Sequence, residues 1–194
     1  MHRAAIVYFF ITLMAVALFA VSCKTAEFGF KVIDVNGMVY DFSNRPVPFC
    51  EVTMGKRFRS STDINGRFAM PKVPVGTYTI TGTKKGFESY SEEVIIKDRG
   101  QIVYFRMPSQ SQLLTLIDEA LSANNLDVAE EMAERAYRID DKNIEMLFYY
   151  ATVKFRQNDY IEAIVFLEIA KRLGSKDFYI DKFLTVLKEL RYAE

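Results

Sequence analysis

Residues 61–68 read Ser61-Thr62-Asp63-Ile64-Asn65-Gly66-Arg67-Phe68, and residues 73–78 read Val73-Pro74-Val75-Gly76-Thr77-Tyr78. The first stretch carries turn chemistry. An Asp bonds the backbone ahead of it, and the Asn-Gly pair tolerates positive φ. Beyond the turn, apolar and polar residues alternate with period two, the signature of a half-buried strand rather than a helix. In Thr77–Thr83 this places Tyr78 and Ile80 toward a core and the threonines toward water. Gly66 and Gly76 permit hairpin geometry, and Phe68 and Tyr78 point inward from neighbouring strands.

The same texture extends outward on both sides. FKVIDV (30–35), GMVYDF (37–42), PFCEVTM (48–54) and KRFRSST (56–62) precede or flank the first turn; RFAMPKV (67–73), TYTITGT (77–83), EEVIIK (92–97) and IVYFRM (102–107) follow it. Pro46 and Pro48 suit an edge position, where a missing N–H is tolerated. Seven or eight short strands with no helical pattern between them predict an antiparallel β-sandwich over Phe28–Met107. Cys50 lies in an apolar stretch and is read as a small buried hydrophobe rather than a reactive thiol. Lys56-Arg57-Phe58-Arg59 is read as a solvated hairpin face.

After Pro108 the texture changes to Ala, Leu, Glu and Lys with helical periodicity. Asn125-Leu126 recurs as Asp159-Tyr160, Ala129 as Ala163, and Ala136 as Ala170, each 34 residues on. Charge follows the same boundary. Cys23–Pro108 carries 13 Lys and Arg against 9 Asp and Glu, a net of +4; Ser109–Glu194 carries 11 against 16, a net of −5. Two modules with different surfaces are implied. The fold class predicted is α+β multidomain: an antiparallel β-sandwich at 28–108, then an α-helical hairpin array at 109–194.

Both modules resemble known families. Gly37-x-Val39-x-Asp41, Arg45-Pro46-Val47-Pro48, Val52-Thr53, the 61–68 and 73–78 blocks, and Lys84-Lys85-Gly86-Phe87 are similar to a carboxypeptidase regulatory-like domain. The resemblance implies a transthyretin-like sandwich that is itself non-catalytic. Asn44 departs from it where Gly is common, and Phe49-Cys50 replaces a small pair. The helical half resembles tetratricopeptide repeats, which have a 34-residue period. The units are Gln110–Asn143 and Ile144–Asp177, closed by an amphipathic capping stretch, Phe178–Tyr192. Ala129, Ala136, Ala151, Ala163 and Ala170 fall where that family needs small residues between paired helices. Asp141 and Ser175 stand in place of the usual Pro, and the sequence also admits a plain helical bundle. By this resemblance the first helix of each unit lines a concave, partner-binding face: Leu114, Asp118 and Leu121, then Phe148, Thr152, Phe155 and Arg156. Phe148 and Phe155 are read equally well as core.

The N-terminus reads as an export signal: His2 and Arg3, an apolar run from Ala4 to Val21, then Ser22-Cys23. Ala20–Cys23 resembles a bacterial lipobox, which implies a signal peptide at 1–22, acylation at Cys23 and a linker at 23–27. An uncleaved span and ordinary cleavage before an unmodified Cys23 are the competing readings. All three place the remaining chain outside the cytoplasm.

His2 is the single histidine, so export leaves a chain without Ser-His-Asp or Cys-His catalysis or any His-bearing zinc site. Phosphate-binding glycine loops are absent, and 25 basic against 25 acidic residues give no electrostatic reason to bind nucleic acid. Asp63-x-Asn65 fails as a calcium loop because Pro74 stands where the bidentate Glu belongs. Carboxylate pairs such as Asp118-Glu119 and Glu130-Glu131 read as solvated helix surface. No catalytic residue, metal or cofactor is expected. The expectation is a non-catalytic envelope lipoprotein, tethered to the membrane by its N-terminal lipid and binding envelope proteins. The alternative is an accessory glycan- or nutrient-binding subunit that uses the sandwich.

Overall fold

The computed structural model describes residues 31–192. The expected signal, Cys23, the 23–27 linker and the first residues of the β module lie outside the described residues. Among the described residues no helix is long and apolar enough to cross a membrane.

Seven strands form two sheets: β1 (Val32–Tyr40), β2 (Glu51–Met54), β3 (Phe58–Ser61), β4 (Arg67–Pro74), β5 (Gly76–Thr83), β6 (Tyr90–Ile96) and β7 (Ile102–Arg106). One sheet has the order β4-β1-β7, the other β3-β2-β5-β6. Alternation works as expected. Phe68, Met70 and Val73 of β4 and Ile33, Val35 and Val39 of β1 share one core with Val52, Met54 and Ile80 of the other sheet. Tyr78 is half-buried, with its ring edge-on to Phe58 at 6.0 Å. The turn forms as its residues dictate, with Asp63 Oδ1 accepting the N–H groups of Asn65 and Arg67. Cys50 is fully buried, its Sγ 3.6 Å from Met107 Sδ, and burial pushes its thiol up. Lys56 and Arg57 are exposed.

Two details differ from the expectation. The stretches at 30–35 and 37–42 are one continuous strand. Gly37 does not break it; a Cβ there would overlap the Phe68 ring and the Val103 carbonyl, so glycine serves close packing. The sandwich is also not wholly antiparallel. β7 crosses from the second sheet and lies parallel to β1, pairing Asn36 with Ile102 through Tyr40 with Arg106.

Five helices follow: α1 (Gln110–Ser122), α2 (Leu126–Ile139), α3 (Ile144–Arg156), α4 (Tyr160–Arg172) and α5 (Phe178–Tyr192). Their punctuation repeats every 34 residues. Ser109 and Asn143 cap α1 and α3, and Asp177 accepts from the Tyr179 N–H at the start of α5. Asn125 and Asp159 cap α2 and α4. Asn124 and Asn158, in the turns between them, both adopt positive φ. Such caps and left-handed turn residues fix where each helix begins and how sharply the hairpin closes. Ala129, Ala136, Ala151, Ala163 and Ala170 are all fully buried, which lets the helix pairs approach closely.

The modules join without a free linker. Gln110 N–H donates to Gly86 O, and Glu88 N–H donates to Pro108 O. Gln110, 7% exposed, donates to the carbonyls of Ala136 and Asp140 and accepts from Asn143 Nδ2, closing the end of α2 onto the start of α1.

Candidate functional site: the helical surface

The residues expected on an inner face separate by role. Leu114 and Leu121 are buried, at 5% and 8% exposure, and belong to the helical core. Phe148 and Phe155 are half-buried, and the Phe183 ring of α5 packs edge-on against both, at 6.0 and 5.4 Å. Of the two readings the sequence left open for these phenylalanines, packing against the core is the one the geometry supplies. The cause is tertiary: α5 begins 34 residues after α3 and lays Phe183 across them.

Asp118 and Arg156 stay exposed, with Thr152 between exposed and buried. Thr152 spends its hydroxyl on the Phe148 carbonyl at 2.9 Å, and Arg156 Nη2 donates to Asn124 Oδ1 at 2.9 Å. One period on from Thr152 and Arg156, α5 presents Val186 and Leu190, 41% and 36% exposed. Sequence reasoning passed over these two; the 34-residue offset is the signal that locates them. The surface so formed is polar on α1 and α3 and becomes apolar on α5. It holds no nucleophile–base pair.

Electrostatics here are structural. Lys154 Nζ lies 2.6 Å from Glu130 and 2.9 Å from Glu162, tying α2, α3 and α4 together. Burial works against the ammonium, but the two carboxylates outweigh it and raise the pKa. Lys154 and Gln157 in turn hold Glu130 below its ordinary value. Among the described residues no group of three or more His, Cys, Asp or Glu side chains is placed to hold a metal.

The sandwich offers a second surface. Met38 and Tyr40 on β1 and Ile102 and Tyr104 on β7 point away from the core, with Met38 directly beside Tyr104. Tyr104 is 67% exposed. The two-sheet topology, the tight Asp63–Gly66 turn and the inward Phe68 and Tyr78 form the frame for this face.

Residues 34–107 match the carboxypeptidase regulatory-like domain. The regulatory-like domain thus accounts for nearly all of the sandwich, and the five helices form a separate C-terminal region beyond it. Two solved structures are similar in part: a C-terminal and an N-terminal interface mutant of type II cohesin–X-dockerin complexes from Acetivibrio cellulolyticus. They are 20% and 17% identical, cover 40% and 45% of this chain, and each has a TM-score of 0.36. The alignments span 58% and 73% of those chains. No curated protein matches the sequence.

Proposed function

We propose that the protein is a non-catalytic interaction lipoprotein of the bacterial envelope. In this reading it is held to the membrane through acylated Cys23, and its helical region acts as a tetratricopeptide-like surface for an envelope protein. The observation that carries the reading is the 34-residue punctuation, in which caps, left-handed turn residues and buried alanines recur together. A plain bundle has no reason to repeat its turns at one period, whereas stacked hairpins must. The regulatory-like domain then serves as a spacer or docking module between membrane and helices. The export signal ending at Ser22-Cys23 supports the tether.

The test is in situ crosslinking followed by capture of the full chain from envelope extract, comparing wild type with the double variant Arg156→Glu/Thr152→Arg. Both positions are solvent-facing enough to change without opening a cavity. Loss of captured proteins, at an unchanged thermal midpoint, is the expected result; undiminished capture by the folded variant contradicts the helical surface. Intact mass of the membrane-extracted protein checks the tether, with cleavage after Ser22 plus a lipid mass expected.

The exposed Tyr104 and the half-buried Tyr40, both beside Met38, favour a second reading, glycan or nutrient binding on the outer face of the β4-β1-β7 sheet. Amphipathic rings on a flat sheet suit sugar faces. Retained envelope-protein capture with lost glycan binding in Tyr104→Ala would support it.

A further inference from the structure

Phe49 is unusual in two ways at once. Its φ is 54°, the left-handed region that bulky side chains avoid, and its side chain is 71% exposed. Asn or Gly would satisfy the same turn at lower cost in both respects. The conformation is held from below. The buried Thr62 hydroxyl donates to Val47 O at 2.7 Å and accepts from Cys50 N–H at 2.8 Å. Phe49 N–H donates to Thr62 O at 3.0 Å. A backbone outlier so firmly clamped is a reason to look for function beside it.

Beside it is an open cleft of about 850 Å³ between the β5–β6 loop and the C-terminal end of α2. Phe49, Lys84, Lys85, Phe87, Ser89 and Arg138 line it, together with Glu51 and Glu88. Both carboxylates are engaged, Glu51 with Arg59 at 3.1 Å and Glu88 with Arg135 at 2.7 Å. The cations are not matched in this way. Lys84 Nζ donates to the Pro48 carbonyl and sits 4.9 Å over the Phe87 ring. Lys85 has no ion pair among the described residues, and Arg138 meets Glu134 only at 3.8 Å on exposed surface. The cleft therefore offers donors, positive charge without close carboxylate partners at Lys85 and Arg138, and the exposed Phe49 ring.

We propose that this cleft binds an acidic peptide segment, its carboxylates on Lys84, Lys85 and Arg138 and an adjacent aromatic or apolar side chain on Phe49. Lys85 and Arg138 have no close carboxylate partner, a positive charge that a neutral sugar cannot answer and a carboxylate-bearing peptide can. Charge complementarity selects the ligand and the ring fixes its register. The proposal rests on the protein-interaction reading above and names a different surface for it.

The probe is a fluorescent peptide alternating aspartate or glutamate with phenylalanine, titrated by anisotropy against the full chain in non-ionic detergent. The expected result is saturable binding that weakens as salt rises. Its Asn/Gln counterpart should bind at least about tenfold more weakly. Phe49→Asn, which keeps the left-handed turn, and Lys85→Gln/Arg138→Gln should each weaken binding by about tenfold or more, with thermal midpoints unchanged or raised. Arg156→Glu/Thr152→Arg should leave peptide binding intact. No saturable binding up to about 1 mM, or binding indifferent to Phe49→Asn, overturns the proposal. Displacement by an oligogalacturonate more effective than by unlabelled peptide overturns the peptide as ligand. If envelope capture persists while the peptide fails, the cleft proposal falls and the interaction reading stands; if the peptide binds and no envelope protein is captured, the reverse holds.

Discussion

Glu88 and Arg135 join the β5–β6 loop to α2 through a two-pronged ion pair. Arg135 Nη2 lies 2.7 Å from Glu88 Oε2, and Nε donates to Oε1 at 3.1 Å. The side chains are 25% and 21% exposed, so solvent screens the pair only in part. Planar fork-to-carboxylate geometry is the strong form of this interaction, and losing one partner strands the other. Arg135→Gln and Glu88→Gln should each cost about 1–3 kcal/mol in denaturant unfolding. Because the two groups share one interaction, the double variant should cost clearly less than the sum of the singles. Additive values would show that the pair does not couple the modules.

Acid should loosen the helical region through Glu130. Hydrogen bonds from Lys154 and Gln157 hold its carboxyl below the ordinary 4.5, outweighing partial burial. The folded state then binds fewer protons than the unfolded state below that value. The stabilisation is complete above 4.5 and is lost as pH falls through the folded value. Lys154 stays charged throughout this range, since its pKa is raised, so its contribution fades only on the alkaline side. Unfolding free energies measured from about pH 6 to about pH 3 should fall more steeply in wild type than in Glu130→Gln. Parallel curves would remove Glu130 from the acid response.

Gly37→Ala tests the packing of the sandwich. The added methyl meets the Phe68 ring, the far end of a side chain, but also the Val103 carbonyl, which is backbone. The ring alone can swing aside, so relief is partial. A loss of about 1–3 kcal/mol is expected, with little recovery in Gly37→Ala/Phe68→Leu. Full recovery in the double variant would place the whole conflict on the ring.

What the sequence disclosed followed from local chemistry. Asp63–Gly66 bonds its own backbone, so the turn was legible; Asn125 and Asp159 registered only as a 34-residue recurrence, and the fold shows that they cap the helices they begin. The stretches at 30–35 and 37–42 read as two strands rather than one, and the packing role of Gly37 stays hidden because the ring that excludes a side chain there comes from Phe68, thirty-one positions away. Phe148 and Phe155 have helical spacing that serves a groove and a core equally; the position of Phe183 decides, and no local pattern records it. Phe49 stood out as a departure from the small pair of the family that the sandwich resembles. Its cleft neighbours Lys84, Lys85 and Arg138 are far apart in sequence, and only the fold gathers them.

The parallel pairing of β1 with β7 has a mechanical consequence. The N-terminal segment enters β1 at Val32, and α1 leaves just beyond β7 at Gln110. Tension applied between the N-terminal segment and the helices would pull β1 backward and β7 forward along the same axis. The pairs from Asn36–Ile102 to Tyr40–Arg106 then lie along the pulling direction and are loaded together in shear, rather than opened one at a time as in a zipper. Strands loaded in this way share the load across the whole ladder. The sandwich would therefore meet such tension with several strand-pair hydrogen bonds at once.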